Sequence, residues 1–146
     1  MKTVVTAIPD LERELPADTA DAPEWLKNAL RMPREEGWVE SGGANIHYFR
    51  WGNPENPGLL LMHGFLAHSR CFAFIAPFLA EHYHVVAFDF SGMGDSDWRD
   101  HYTDAVRAAE VEDVARATGL FDHATKPMVI AHSYGGHVAI TAMQDQ

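Results

Sequence analysis

The sequence predicts an α/β fold with a mostly parallel sheet and helices on its faces, and three observations carry that prediction. Short apolar runs of strand length recur from Gly58 to Phe65, from His84 to Asp89 and from Pro127 to Ile130, as strands buried on both faces do. Helix-compatible stretches separate these runs, and alternation of this kind implies parallel strands covered on both sides. A sharp small-residue turn, Ala131-His132-Ser133-Tyr134-Gly135, joins the last run to the last helical stretch.

Residues 1–36 are rich in Pro, Ala, Asp and Glu, and prolines at 9, 16, 23 and 33 interrupt any regular pattern. They read as an arm on the domain formed by residues 37–146, with one short helix from Pro23 to Leu30 that starts with proline in its first turn. Trp38–Ser41 and Ala44–Arg50 are strand-like, and Gly42-Gly43 between them predicts a hairpin. Gly52 to Gly58 is a turn into the first buried strand. A helix is expected from Ser69 to Ala80, with Phe72, Ile75 and Leu79 on one face. Another is expected from Thr103 to Thr118, stopped by Gly119. The last runs from Gly136 to Met143, with Val138 and Ala142, and Ala139 and Met143, at i,i+4 spacing.

Ser133 is the residue with the most chemistry to offer. Small residues stand two positions before it and two after, Ala131 and Gly135, with Gly136 beyond. That is what a strained turn needs if it is to lift a hydroxyl clear of a sheet. The pentapeptide alone equally suits a serine that only caps a helix. The strand-like run before it and the helical run after it favour the nucleophile elbow.

Three motifs in order, His63-Gly64-Phe65, the Asp-x-x-Gly-x-Gly-x-Ser segment from Asp89 to Ser96, and Ala131 to Gly136, make residues 37–146 resemble the amino-terminal part of an alpha/beta-hydrolase-fold protein. The departure is Ala131, where glycine is usual. The resemblance implies that Ser133 is a nucleophile, held in elbow geometry by Ala131, His132, Gly135 and Gly136. It implies an oxyanion hole built from the backbone N–H groups of Phe65 and Tyr134. It gives His63, Gly64, Asp89, Gly92, Gly94 and Ser96 structural roles in their loops, and places the catalytic acid and histidine after the serine in chain order. The expected activity is hydrolysis of small carboxylic esters or related acyl substrates through a covalent acyl-enzyme, with no cofactor. A serine nucleophile argues against the epoxide-hydrolase and haloalkane-dehalogenase branches, which this fold builds on aspartate.

Because the sequence closes at Gln146, the alternative expectation is a truncated, catalytically silent fragment without its acid and histidine. Its strand Met128 to Ala131 would then stand as an exposed apolar edge, prone to aggregation.

Composition narrows the remaining classes. A chain of 146 residues with 47% apolar residues suffices for one core. The formal net charge of −10 repels nucleic acid and anionic membranes, and the resemblance implies a small acyl molecule as the partner. No run has the length of a membrane span. The amino terminus lacks the long apolar region of a secretory signal, and the single cysteine, Cys71, is expected on a core-facing helix, so a cytoplasmic location is expected.

Nine histidines raise the question of a metal. No His-Glu-x-x-His helix or cysteine cluster completes a site, so no metal is expected. His63 and His132 are expected to order their turns, and His82, His84 and His123 to be solvated. Gly92-Met93-Gly94 lacks the third glycine of a dinucleotide loop, since Asp97 stands in its place. Asp89 as catalytic acid, and His101 or His123 as base, fit the resemblance poorly.

Overall fold

The computed structural model describes residues 6–7 and 19–144. Strands β1 (Thr6–Ala7), β2 (Glu35–Ser41), β3 (Ala44–Trp51), β4 (Gly58–Met62), β5 (His84–Phe88) and β6 (Met128–Ala131) form one sheet in the order β1-β2-β3-β5-β4-β6. Helices α1 (Glu24–Leu30), α2 (Ala76–Leu79), α3 (Asp104–Ala117) and α4 (Tyr134–Gln144) complete the regular structure. The hairpin turns at Gly42-Gly43, as expected, pairing Ser41 with Ala44, and β3 then runs antiparallel to β5. From β5 through β4 to β6 every pairing is parallel.

All residues of β4 and β5 are buried, and their alternation explains the two-sided core. Leu60, Met62, Val86 and Phe88 pack on one face with Val114 and Ala115 of α3 and Val138 and Ala139 of α4. Leu59, Leu61, Val85 and Ala87 pack on the other with Phe49, Trp51 and Ala76. Each buried Leu, Val, Met or Phe among them contributes roughly 1.5–3 kcal/mol by leaving water. Strand β6 ends the sheet among the described residues, with Met128 and Ile130 about half exposed.

Helix α3 begins where Thr103 Oγ1 accepts from the Val106 N–H at 3.2 Å and ends before Gly119 at φ 78°. The helix expected from Ser69 to Ala80 is instead broken into a 3₁₀ turn, Ser69–Phe72, and the single turn of α2. Pro77 is the reason: it has no N–H for the carbonyl four residues earlier, and its ring clashes there, so it is tolerated only in a helix's first turn. Ile75, expected on the core face, is consequently 41% exposed, and Cys71 is exposed on the 3₁₀ turn rather than facing the core.

His84 also departs from expectation. As the first residue of β5 it is buried, not solvated. His123 is half-buried with its Nε2 shielded, while His82 is exposed. In the amino-terminal region, Trp25 of α1 meets Phe78 of α2, with ring centroids 6.3 Å apart, and Thr6 and Ala7 add a short strand antiparallel to Glu36 and Glu35 of β2; residues 1–5 and 8–18 of the arm lie outside the described residues. No described helix is long and apolar enough to cross a membrane.

Candidate active site

Strand β6 delivers the chain to Ser133, which lies exposed at φ 53°, and α4 begins at the next residue. A left-handed backbone costs an L-residue roughly 1–2 kcal/mol, so the surrounding structure enforces this turn. The strand is tied to β4 through the His132 N–H to the Met62 carbonyl at 3.0 Å, and Gly135 N–H closes the turn on the His132 carbonyl at 2.9 Å. Ser133→Gly is expected to raise stability by about 1 kcal/mol because glycine adopts this conformation freely, whereas Ser133→Ala leaves the strain in place. Urea titration of the two variants checks it.

Gly135 sets how closely α4 approaches the sheet. A Cβ there would stand 2.6 Å from the Met62 carbonyl oxygen and 2.7 Å from that of His63, whereas at Gly136 it would meet nothing within 4 Å. Ala131 and His132 line the turn, half-buried and exposed respectively. Gly64 sits against the His132 ring.

His63 is buried and holds the β4 turn. Its Nδ1 lies 2.7 Å from the Gly64 carbonyl, and its Nε2 accepts from the Phe90 N–H at 3.2 Å. That pattern requires the neutral tautomer protonated at Nδ1. Burial in first place lowers its pKa, against the opposing Gly64 bond. Leu66, two residues beyond Gly64, is the other described non-glycine residue at positive φ. The Phe65 and Tyr134 rings meet edge to face, 5.7 Å apart, which brings the two loops together. Neither residue's backbone N–H donates to an acceptor among the described residues.

Asp89, at the carboxyl end of β5, organises the next loop. Its Oδ1 accepts from the Ser69 N–H at 2.5 Å, and its Oδ2 accepts from His47 Nδ1 at 2.8 Å and the Asp95 N–H at 3.0 Å. Ser96 Oγ donates to the Asp89 carbonyl and accepts from the His47 N–H. Gly94 has φ 53°, and a side chain there would collide with the Asp89 carboxylate. The Gly92 N–H closes the loop on the Asp97 carbonyl at 2.8 Å. Burial alone would raise the Asp89 pKa, but the His47 bond and the Ser69 and Asp95 N–H groups outweigh it and hold the carboxyl at about 2. The His47 ring, with Glu36 Oε1 2.6 Å from its Nε2, has a carboxylate on each nitrogen. Burial lowers its pKa, and the two carboxylates more than reverse this, so the net shift is upward.

Sequence reasoning missed a second buried network beside Tyr134. Arg107 Nε donates to the Tyr134 hydroxyl at 3.0 Å, and its Nη1 donates to the Ser91 carbonyl and to Glu110 Oε2. Arg99 donates to Glu110 Oε1 at 2.9 Å and to the Ser41 and Gly42 carbonyls, joining the hairpin to α3. The available signal was Arg107 and Glu110 at i,i+3 on the helix face that also carries Val111 and Val114.

No side chain among the described residues is hydrogen-bonded to Ser133 Oγ. His137 lies one turn further along α4, but its Nε2 is directed to Asp104 at 3.3 Å. His101 is exposed, and His123 precedes β6 at the opposite end of the sheet from Ser133.

A parallel β5-β4-β6 core that carries an exposed serine at positive φ between strand and helix defines an α/β protein with a sharp strand–turn–helix at the end of β6. Residues 59–145 match the alpha/beta hydrolase family, and the chain belongs to that family. It is 25% identical over 103 residues to the uncharacterized hydrolase YugF of Bacillus subtilis (strain 168), covering 68% of this chain and 36% of that protein. It is 26% identical over 106 residues to epoxide hydrolase 3 of Xenopus tropicalis, covering 70% of this chain and 28% of the relative. The esterase RhEst1 from Rhodococcus sp. ECU1013 superposes with a TM-score of 0.68 at 28% identity, over 76% of this chain and 41% of that one. The chain thus spans roughly a third of the length of these curated relatives.

Proposed function

We propose that this chain carries the nucleophile half of a serine hydrolase acting on small carboxylic esters or related acyl compounds. The observation that carries this reading is Ser133 itself, exposed at φ 53° on the β6–α4 turn. In the proposed reaction Ser133 Oγ attacks the acyl carbonyl while a base removes its proton. The N–H groups of Phe65 and Tyr134 receive the developing oxyanion. Collapse expels the alcohol, which takes the proton from the base, and water then releases the acid from the serine ester. Epoxide hydrolase 3 is among the relatives, but a hydroxyl stands where an aspartate nucleophile would, so an acyl substrate suits this chain better.

The base and its orienting acid lie outside the described residues in this proposal, because no imidazole engages Ser133 Oγ. The same observation favours a second reading, in which residues 1–146 by themselves are catalytically silent. Without triad partners, binding and the oxyanion hole leave only ~10³–10⁴-fold catalysis over water. The test is hydrolysis of p-nitrophenyl acetate and butyrate by the purified chain and its Ser133→Ala variant. Weak turnover within that bound, lost on substitution, is the expected result. Turnover unchanged by Ser133→Ala removes the serine from the mechanism, and vigorous turnover abolished by it removes the silent reading.

A further inference from the structure

The two edges of the sheet are built differently. At one, β1 is only Thr6–Ala7, and the strand behind it, β2, carries Glu35, Glu36 and Glu40. A very short strand and acidic side chains both discourage pairing with another chain. At the other edge β6 has neither device, since Met128-Val129-Ile130-Ala131 holds no charge and no proline. The uncharged stretch extends well past the strand: no Asp, Glu, Lys or Arg occurs from Pro127 to Gln144. On a chain of net charge −10, copies repel one another across most of their surface, and here they can meet without that repulsion.

The main chain of this edge is complementary to itself. The His132 N–H donates to the Met62 carbonyl of β4, and in a parallel pair alternate residues turn both N–H and C=O to the same neighbour. Met128 and Ile130 therefore face β4. Val129 and Ala131 direct their N–H and C=O groups outward, where no strand pairs with them among the described residues. An antiparallel copy related by a two-fold axis through Ile130 sets each Val129 opposite the other copy's Ala131, and every outward N–H and C=O then finds a partner. The side chains follow the same axis. On one face of the sheet Ile130 meets its own copy, with Met128 beside it, both about half exposed. On the other face, α4 turns Tyr134 and His137 toward Arg107 and Asp104 of α3. Gly136, Ile140 and Met143 form the stripe of α4 away from those contacts. A Cβ at Gly136 would meet nothing within 4 Å, and Ile140 and Met143 are exposed.

We propose that this chain forms a symmetric dimer through β6, with Ile130 at the two-fold axis and α4 beside its counterpart, so that the two sheets become one. Such an interface is isologous and closes on itself, and it removes the open strand edge from both copies. Its extent, one short strand and one helix stripe per copy, is at the small end for a specific interface, which sets the dissociation constant in the micromolar range.

The experiment is light scattering on the size-exclusion eluate of the 146-residue chain, loaded from ~1 to ~200 µM to bracket a micromolar dissociation constant. The mass should rise from one chain to two and go no further. Ile130→Lys sets two ammonium groups face to face and should weaken the dimer at least ~10-fold. It should keep the parent's circular dichroism, because residue 130 is half exposed. The register is read by disulfide cross-linking in a Cys71→Ser background, since Cys71 is exposed. Mild oxidation should join Ile130→Cys into a covalent dimer, because facing Cα atoms of such a pair stand about 4.5 Å apart. Met128→Cys should not cross-link, being about 14 Å from its counterpart against a limit near 7 Å. If Ile130→Lys does not fold, the cross-linking pair decides. A parent that stays monomeric throughout overturns the proposal and leaves the edge to a different polypeptide. Assembly that continues past two chains, survives Ile130→Lys, or cross-links equally through Met128→Cys overturns it as well. None of these readouts involves turnover, so the result stands apart from the fate of the serine-hydrolase reading.

Discussion

Asp89→Ala is expected to cost about 3–5 kcal/mol of folding free energy, the range for removing one partner of a buried ion pair. The side chains of Asp89 and His47 are both fully buried. Without the carboxylate, the N–H groups of Ser69 and Asp95 lose their acceptor, and His47 keeps only Glu36. Asp89→Asn preserves shape and one amide oxygen, so it should fall between alanine and the parent. Urea titration gives the values directly. A loss below about 1 kcal/mol, the size of an ordinary neutral hydrogen bond, would mean that the loop has other supports.

The same pair fixes the sign of the pH dependence. Asp89 titrates at about 2 in the folded chain against 3.8 unperturbed, so its stabilisation is complete above 3.8 and is lost as pH falls through about 2. The pKa of His47 is raised from 6.5. Its contribution is complete below 6.5 and disappears as pH rises through the higher folded value. The pair therefore stabilises most between 3.8 and 6.5. Stability measured against pH should show both limbs in the parent, and in Asp89→Ala the acid limb should vanish and the alkaline one shrink.

Gly135→Val should be at least as damaging, at roughly 3 kcal/mol or more, at the severe end of overpacking. The obstacle is backbone, since the carbonyl oxygens of Met62 and His63 stand 2.6 and 2.7 Å from where Cβ would be. No rotamer relieves that. Helix α4 must lift away from β4, taking Val138 and Ala139 out of the core. Gly135→Ala meets the same oxygens with one carbon and should cost about 1–3 kcal/mol. Gly136→Ala is the control: its Cβ enters open space, and alanine in a helix should stabilise by about 0.5–1 kcal/mol. Equal effects at 135 and 136 would refute the close-approach argument.

Much of this fold was legible because its signals are local. The apolar runs of β4 and β5 needed only their own composition, Gly42-Gly43 only its own turn preference, and α3 only Thr103 and Gly119 at its ends. The break at Pro77 was also local, but the 3,4 spacing of Phe72, Ile75 and Leu79 masked it. The candidate site divides in the same way. Ser133 and its small neighbours lie within six residues, whereas the partners that hold Asp89 come from Ser69, Asp95 and, 42 residues away, His47.

By itself the sequence determined the alternation of strands and helical stretches from the hairpin onward, the hairpin itself and the strand–turn–helix at Ser133, because each depends on torsional preference and periodicity over a few residues; it did not show the short strand at Thr6–Ala7 or the break between Phe72 and Ala76. Tertiary structure alone decided which polar side chains are buried and what they bind. It put His84 under cover beside His123, aimed Arg107 at Tyr134 and Glu110, and set His47 between Asp89 and Glu36. The physical reason is that burial and hydrogen-bond partnership are properties of the space between elements, and that space exists only once β5, β4 and β6 have paired and α3 and α4 have closed over them.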